Sequence, residues 1–168
     1  YMQESFEDES AAEDLSQEPA ANADSELTVV ATPEKDGSDY LLPFPVAAIG
    51  GSAGGIEAYI ELFQHVPANT GMAFVVVPHL ASDQKSHLVE ILAARARIPV
   101  LEIKDQMRPE PNHVYVLPPN AVLSIHNGVL QLGPRPEQRP TMVIDEFFRS
   151  LGADQKNRAI GVVLSGMD

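Results

Sequence analysis

Gly50-Gly51-Ser52-Ala53-Gly54-Gly55 surrounds a single hydroxyl with four glycines, between a short apolar run and an amphipathic stretch. Bare backbone on both sides of a serine permits a sharp turn and leaves the hydroxyl unobstructed. If a helix follows, its free N–H groups and positive dipole end face whatever Ser52 attacks. The residues satisfy G-x-S-x-G, the nucleophile-elbow pattern, in the strand–turn–helix setting that pattern requires. They fail the phosphate-loop pattern, since no Gly-Lys-Ser/Thr follows, and they fail G-x-G-x-x-G, because Ser52 stands where the second glycine belongs. A glycine loop that binds an anion, or merely turns the chain, is the competing reading.

A nucleophilic serine needs a base, and imidazole titrates in the right range. His79 follows Val77-Pro78 directly at the end of a second apolar run, so it could reach a serine at the end of the first. A lone loop histidine is more often structural, but position separates His79 from the other four. His65 falls near a helix end, His87 in a second helix, His113 at a strand start and His126 at a hairpin tip, and none has metal-ligand spacing such as H-E-x-x-H. A third loop, Ser165-Gly166-Met167-Asp168, also follows an apolar run. Its small residues suit close backbone approach, so a peptide N–H there could serve an oxyanion hole. An acid in the same loop could orient His79 and complete a triad, although Asp168 reads first as a solvated carboxylate.

These loops need elements to position them. Residues 46–50 read as a buried strand that stops at glycines, and residues 73–77 as the next, ended by Pro78. Ile56, Tyr59, Ile60 and Phe63 recur at helical spacing, as do Ile144, Phe147, Phe148 and Leu151. Leu88, Ile91 and Leu92 mark a further helix that Ser82 or Asp83 could cap. Residues 99–103, 113–117 and 159–164 read as further strands, and 122–125 with 129–132 flank His126-Asn127-Gly128, a hairpin signal. Apolar strands alternating with amphipathic helices predict an α/β fold. Its sheet is doubly wound and mostly parallel, with helices on both faces and one hairpin inserted. In such sheets ligands and catalytic groups collect beyond the carboxyl ends of the strands. The loops to inspect are therefore those at 50–55, 78–82 and 165–168. The serine-first order with histidine 27 residues on differs from the α/β-hydrolase order of serine, acid, histidine.

Charge is uneven. The chain has a formal net charge of −13, and residues 1–43 hold 12 acids and one base, Lys35. That segment cannot bury enough apolar surface to offset its ordering entropy, so 1–43 reads as an acidic, disordered leader and 44–168 as the folded domain. A docking arm is the more specific reading of the leader. No basic stripe supports nucleic-acid binding. The absence of cysteine excludes disulfides and thiolate chemistry. No run approaches the ~20 apolar residues a membrane span needs, and no secretory signal pattern is present, so a cytoplasmic protein without membrane insertion is expected.

From about Phe44 to Met167 the sequence resembles the catalytic domain of the chemotaxis protein-glutamate methylesterases (CheB-type). The resemblance rests on Ala48-Ile-Gly-Gly-Ser-Ala-Gly-Gly55, Val76-Val-Pro-His-Leu80, Pro111-Asn-His-Val-Tyr-Val-Leu-Pro-Pro119 and Gly161-Val-Val-Leu-Ser-Gly-Met167. Gly71-Met-Ala-Phe-Val-Val-Val77 and Phe147-Phe-Arg-Ser-Leu151 are similar to the branch in which this domain is fused ahead of a methyltransferase domain. The resemblance implies hydrolysis of glutamate γ-methyl esters on methylated chemoreceptors, with receptor-glutamine deamidation as a second activity. By position it makes Ser52 the nucleophile and His79 the general base. Met167 lies in the loop whose backbone helps hold the oxyanion, and Gly54 and Gly55 permit the turn and the helix approach. It implies no metal and no cofactor for the esterase domain, with S-adenosylmethionine belonging only to a downstream fused domain.

Two departures stand out. Pro78 replaces the glutamine that commonly precedes the histidine. The family's closing motif runs Leu-(Ser/Thr)-Gly-(Met/Thr)-Gly-x-Asp-Gly, so Asp168 occupies a glycine position and the triad aspartate is expected two residues past the chain's end. The domain is accordingly expected to be incomplete at its C-terminus. A leader of this composition cannot be the phosphorylatable receiver domain that precedes the esterase in classical members. The alternative to an esterase is a non-catalytic signalling module that binds an anion or a partner without a complete triad.

Overall fold

The computed structural model describes residues 40–52, 56–79, 87–136 and 142–164. The acidic leader expected over 1–43 therefore lies almost wholly outside the described residues. The elements in chain order are β1 (Val46–Ser52), α1 (Ile56–His65), β2 (Ala73–His79), α2 (Leu88–Ala93), β3 (Val100–Glu102), β4 (His113–Val116), β5 (Ala121–His126), β6 (Val129–Pro134), α3 (Val143–Gln155) and β7 (Ala159–Leu164). A single 3-10 turn, Lys156–Arg158, joins α3 to β7.

Five strands form one sheet in the order β3-β4-β2-β1-β7, parallel throughout. The chain leaves β1 through α1 to reach β2 on one side, and returns through α3 to place β7 on the other. Each face of the sheet is covered. Val46, Ala48, Val75 and Val77 pack with Val143, Phe147 and Leu151 of α3, while Ala47, Ile49, Phe74 and Val76 pack with Tyr59 and Phe63 of α1 and Leu88 and Leu92 of α2. Burial on both faces explains why β1 and β2 read as continuous apolar runs rather than alternating ones. Phe63 meets Phe74 edge to face, with ring centroids 5.8 Å apart, a favoured aromatic geometry.

Strands β5 and β6 form a separate antiparallel pair rather than extending the sheet. Asn127 and Gly128 both have positive φ, the backbone of a two-residue hairpin turn that twists with its strands. The hairpin packs on α3 through Leu123, Ile125 and Leu130. Its tip is fastened by Asp154, whose carboxylate accepts the Asn127 and Gly128 N–H groups at 2.6 and 2.9 Å. Gln155, buried at the end of α3, accepts the Leu42 N–H at 2.9 Å and donates to Asp154 at 2.7 Å, and the Arg158 guanidinium donates to the Leu42 carbonyl. Asp154→Ala is expected to lower stability by about 1–3 kcal/mol, because it strips the acceptor from two backbone donors. Equilibrium urea unfolding of the variant checks this.

Several elements differ from the sequence expectation. Strands β1 and β2 run on through Ser52 and His79, so Gly50, Gly51 and Pro78 are strand residues rather than loop residues. Pro78 is tolerated for a simple reason. Val76 accepts the Leu117 N–H, so alternate residues of β2 face β4, and the β4 pairing has ended before Pro78 is reached. Its missing N–H breaks no ladder bond. Strand β3 is a three-residue edge of the described sheet, shorter than the run 99–103, with Leu101 41% exposed. Helix α2 has His87 as its N-cap, without a side-chain cap bond. Ser82 and Asp83, expected as caps, lie outside the described residues.

Candidate active site

Ser52 and His79 end adjacent parallel strands at the same register position. Neighbouring strands run about 4.8 Å apart, so the carboxyl ends of β1 and β2 bring the serine and the histidine side by side although 27 residues separate them. On the opposite side β1 pairs with β7, with Gly51 opposite Leu164. Strand β1 is thus where the topology reverses: one connection leaves over the α1 face and another returns over the α3 face. The crevice outside the carboxyl end of such a strand is the preferred ligand site of open parallel sheets. His79 is exposed there, open to a substrate. Next to it, a cleft opens between Pro78, Leu117, Pro119, Arg135 and Val143.

The two glycines before Ser52 let helices close on β1 from both faces. A Cβ on Gly50 would stand 2.5 Å from Cγ2 of Ile144 in α3, and a Cβ on Gly51 would stand 2.7 Å from the Tyr59 hydroxyl of α1. Both distances are far below van der Waals contact, so the strand end that carries Ser52 is clamped only because it carries no side chains there. Tyr59 is 1% exposed. Its hydroxyl has no hydrogen-bond partner among the described residues, and burial pushes its pKa well above the ordinary tyrosine value. Sequence reasoning placed Tyr59 only in the apolar stripe of α1. The polar tip on that stripe, seven residues after Ser52, was the available signal.

The remaining sequence candidates divide clearly. Gly54, Gly55, Met167 and Asp168 lie outside the described residues. His65 ends α1 and bonds its ring N–H to the Glu61 carbonyl at 2.8 Å. His113 begins β4, bonds to the Pro111 carbonyl at 2.9 Å and stacks on Tyr115. His87 and His126 are exposed on the N-cap of α2 and the end of β5. Among the described residues no three His, Asp or Glu side chains gather as a metal site, and no helix is long and apolar enough to cross a membrane.

The fold and the site define an α/β protein with a parallel sheet that offers a serine and a histidine together at its topological switch point. The CheB methylesterase family model matches residues 47–168, and the chain belongs to that family. Similar proteins include a protein-glutamate methylesterase/protein-glutamine glutaminase of Trichodesmium erythraeum, 30% identical over 75% of this chain and 37% of that protein. The corresponding protein 3 of Pseudomonas aeruginosa is 32% identical over 73% of this chain and 37% of its own length. The chain thus spans little more than a third of these curated relatives. It also matches 8% of an uncharacterized 104.1 kDa protein of Rhodobacter capsulatus, at 32% identity over 47% of this chain. The crystal structure of the Thermotoga maritima CheB methylesterase catalytic domain shares the fold, with a TM-score of 0.65 at 23% identity over 76% of this chain and 70% of that one.

Proposed function

We propose that this protein is a serine hydrolase that removes methyl groups from glutamate γ-methyl esters of chemoreceptors. The observation that carries the reading is the register pairing of Ser52 with His79 at the switch point, in a chain of the CheB methylesterase family. Ser52 attacks the ester carbonyl carbon while His79 takes its proton. Collapse of the tetrahedral intermediate expels methanol, which receives that proton, and leaves a glutamyl ester on Ser52. A water then attacks that ester with His79 again as base, restoring Ser52 and releasing the glutamate carboxylate. The same sequence on a glutamine side chain expels ammonia, which accounts for the second activity in the relatives' names. The loop containing Met167 supplies backbone donors to the oxyanion, and Gly54 and Gly55 let α1 start close behind Ser52. Acyl transfer of this kind calls for no cofactor. S-adenosylmethionine would enter only with a fused methyltransferase domain.

The domain organisation follows the same proposal: an acidic leader over 1–43 and a methylesterase domain over 44–168. The substrate places the protein at the cytoplasmic side of receptor signalling, with a methylated receptor rather than nucleic acid as partner. The test is methanol release by the intact protein from chemoreceptor membranes carrying labelled methyl esters. Release above the buffer rate is expected. Tight receptor binding with no release would favour a non-catalytic signalling module.

A further inference from the structure

Buried polar groups in folded proteins are almost always paired with protein or ordered water, so an exception calls for a reason. The Tyr59 hydroxyl is such an exception among the described residues. A phenylalanine would fill nearly the same volume without desolvating a hydroxyl, as Phe63 does one turn later in the same helix. The position of the hydroxyl is specific. It lies 2.7 Å, and its ring carbon Cζ 3.1 Å, from where a Cβ on Gly51 would stand, and the Leu164 carbonyl oxygen lies 3.3 Å from that same point. Gly51 pairs with Leu164 across the β1–β7 ladder and immediately precedes Ser52. A hydroxyl donor and a strand-end carbonyl therefore flank the bare backbone that carries the nucleophile.

We propose that Tyr59 is a positioning residue for Ser52: its hydroxyl, flanking Gly51 together with the Leu164 carbonyl, pins the Gly51–Ser52 peptide against β7 and so presents Ser52 in one place. The inference rests on the reading of Ser52 as nucleophile. Burial keeps the phenol protonated, so it remains a donor at any pH at which an imidazole base works. The glycine at 51 is the other half of the arrangement, since any side chain there would evict the hydroxyl.

The experiment is steady-state methanol release by the intact protein from chemoreceptor membranes carrying labelled methyl esters, comparing wild type, Tyr59→Phe, Gly51→Ala and Ser52→Ala. In Tyr59→Phe kcat is expected to fall about 10- to 100-fold with KM unchanged, the scale of a small misplacement of a reacting group, while Tm holds or rises. A merely structural tyrosine would lower Tm and leave kcat per folded molecule intact. Gly51→Ala is expected to cost kcat to a similar degree, and adding Tyr59→Phe to it should cost little more, because both changes break one arrangement. A Tyr59→Phe enzyme with wild-type kcat overturns the inference. If Ser52→Ala is inert while Tyr59→Phe is fully active, only the role of Tyr59 falls. If Ser52→Ala hydrolyses as well as wild type, or the wild type releases nothing, the nucleophile reading falls and takes this one with it.

Discussion

Ser52→Ala in the intact protein is expected to reduce methanol release about a millionfold, to the level that binding and oxyanion stabilisation alone can support. The size follows from the chemistry. Without the hydroxyl no acyl-enzyme forms, and hydrolysis must proceed by direct attack of water, which the site has not evolved to activate. The substitution removes one oxygen atom at a strand end, so the stability is expected to change by no more than about 0.5 kcal/mol. Labelled-methanol release, with circular dichroism on the same samples, measures both quantities. Activity within tenfold of wild type would exclude Ser52 as the nucleophile whatever its register.

His79→Gln is expected to cost nearly as much, and the double variant with Ser52→Ala no more than Ser52→Ala alone. Serine and base act as one unit, so their losses do not add. Glutamine keeps a polar side chain of similar reach but cannot accept and return a proton, which isolates basicity from packing. His79 is exposed at the end of β2, so folding should be indifferent to the change. A variant with wild-type rates would move the base elsewhere in the site.

The elements that bury both faces of the sheet were legible because apolar composition and spacing report burial directly. Residues 46–50 and 73–77 read as strands, and the stripe of Tyr59 and Phe63 read as a helix face, for that reason. What could not be read was pairing. A run such as 99–103 has the same composition whether its strand has two neighbours or one, so the edge position of β3 appears only when the sheet is assembled. Likewise, spacing allowed His79 to lie near Ser52 but did not fix the register that sets the two level. Gly50 and Gly51 suggested a turn, since glycine is the usual turn residue. Their bareness instead admits Ile144 and the Tyr59 hydroxyl against an extended strand. The α3 stripe was read in part: Phe147 and Leu151 are buried as expected, Val143 and Gln155 complete the buried set, and Ile144 and Phe148 are half-buried beside it. A buried glutamine carries no apolar signal, and its hydrogen bonds to Leu42 and Asp154 are long-range facts.

The position of β1 between β2 and β7 also sets a schedule for the chain leaving the ribosome. β2 follows β1 closely and can pair with it early, whereas Val46 must wait for Ala159, its partner in β7, to emerge. At about 5–20 residues per second, those 113 positions take on the order of ten seconds of synthesis. During that time the β7 side of β1 presents open N–H and C=O groups flanked by apolar side chains, a template for wrong pairing. Nascent chains should therefore engage holding chaperones until residue 164 clears the exit tunnel. The strand end that carries Ser52 would be the last part of the β1–β7 ladder to close, so that end is not held on both sides before β7 has emerged.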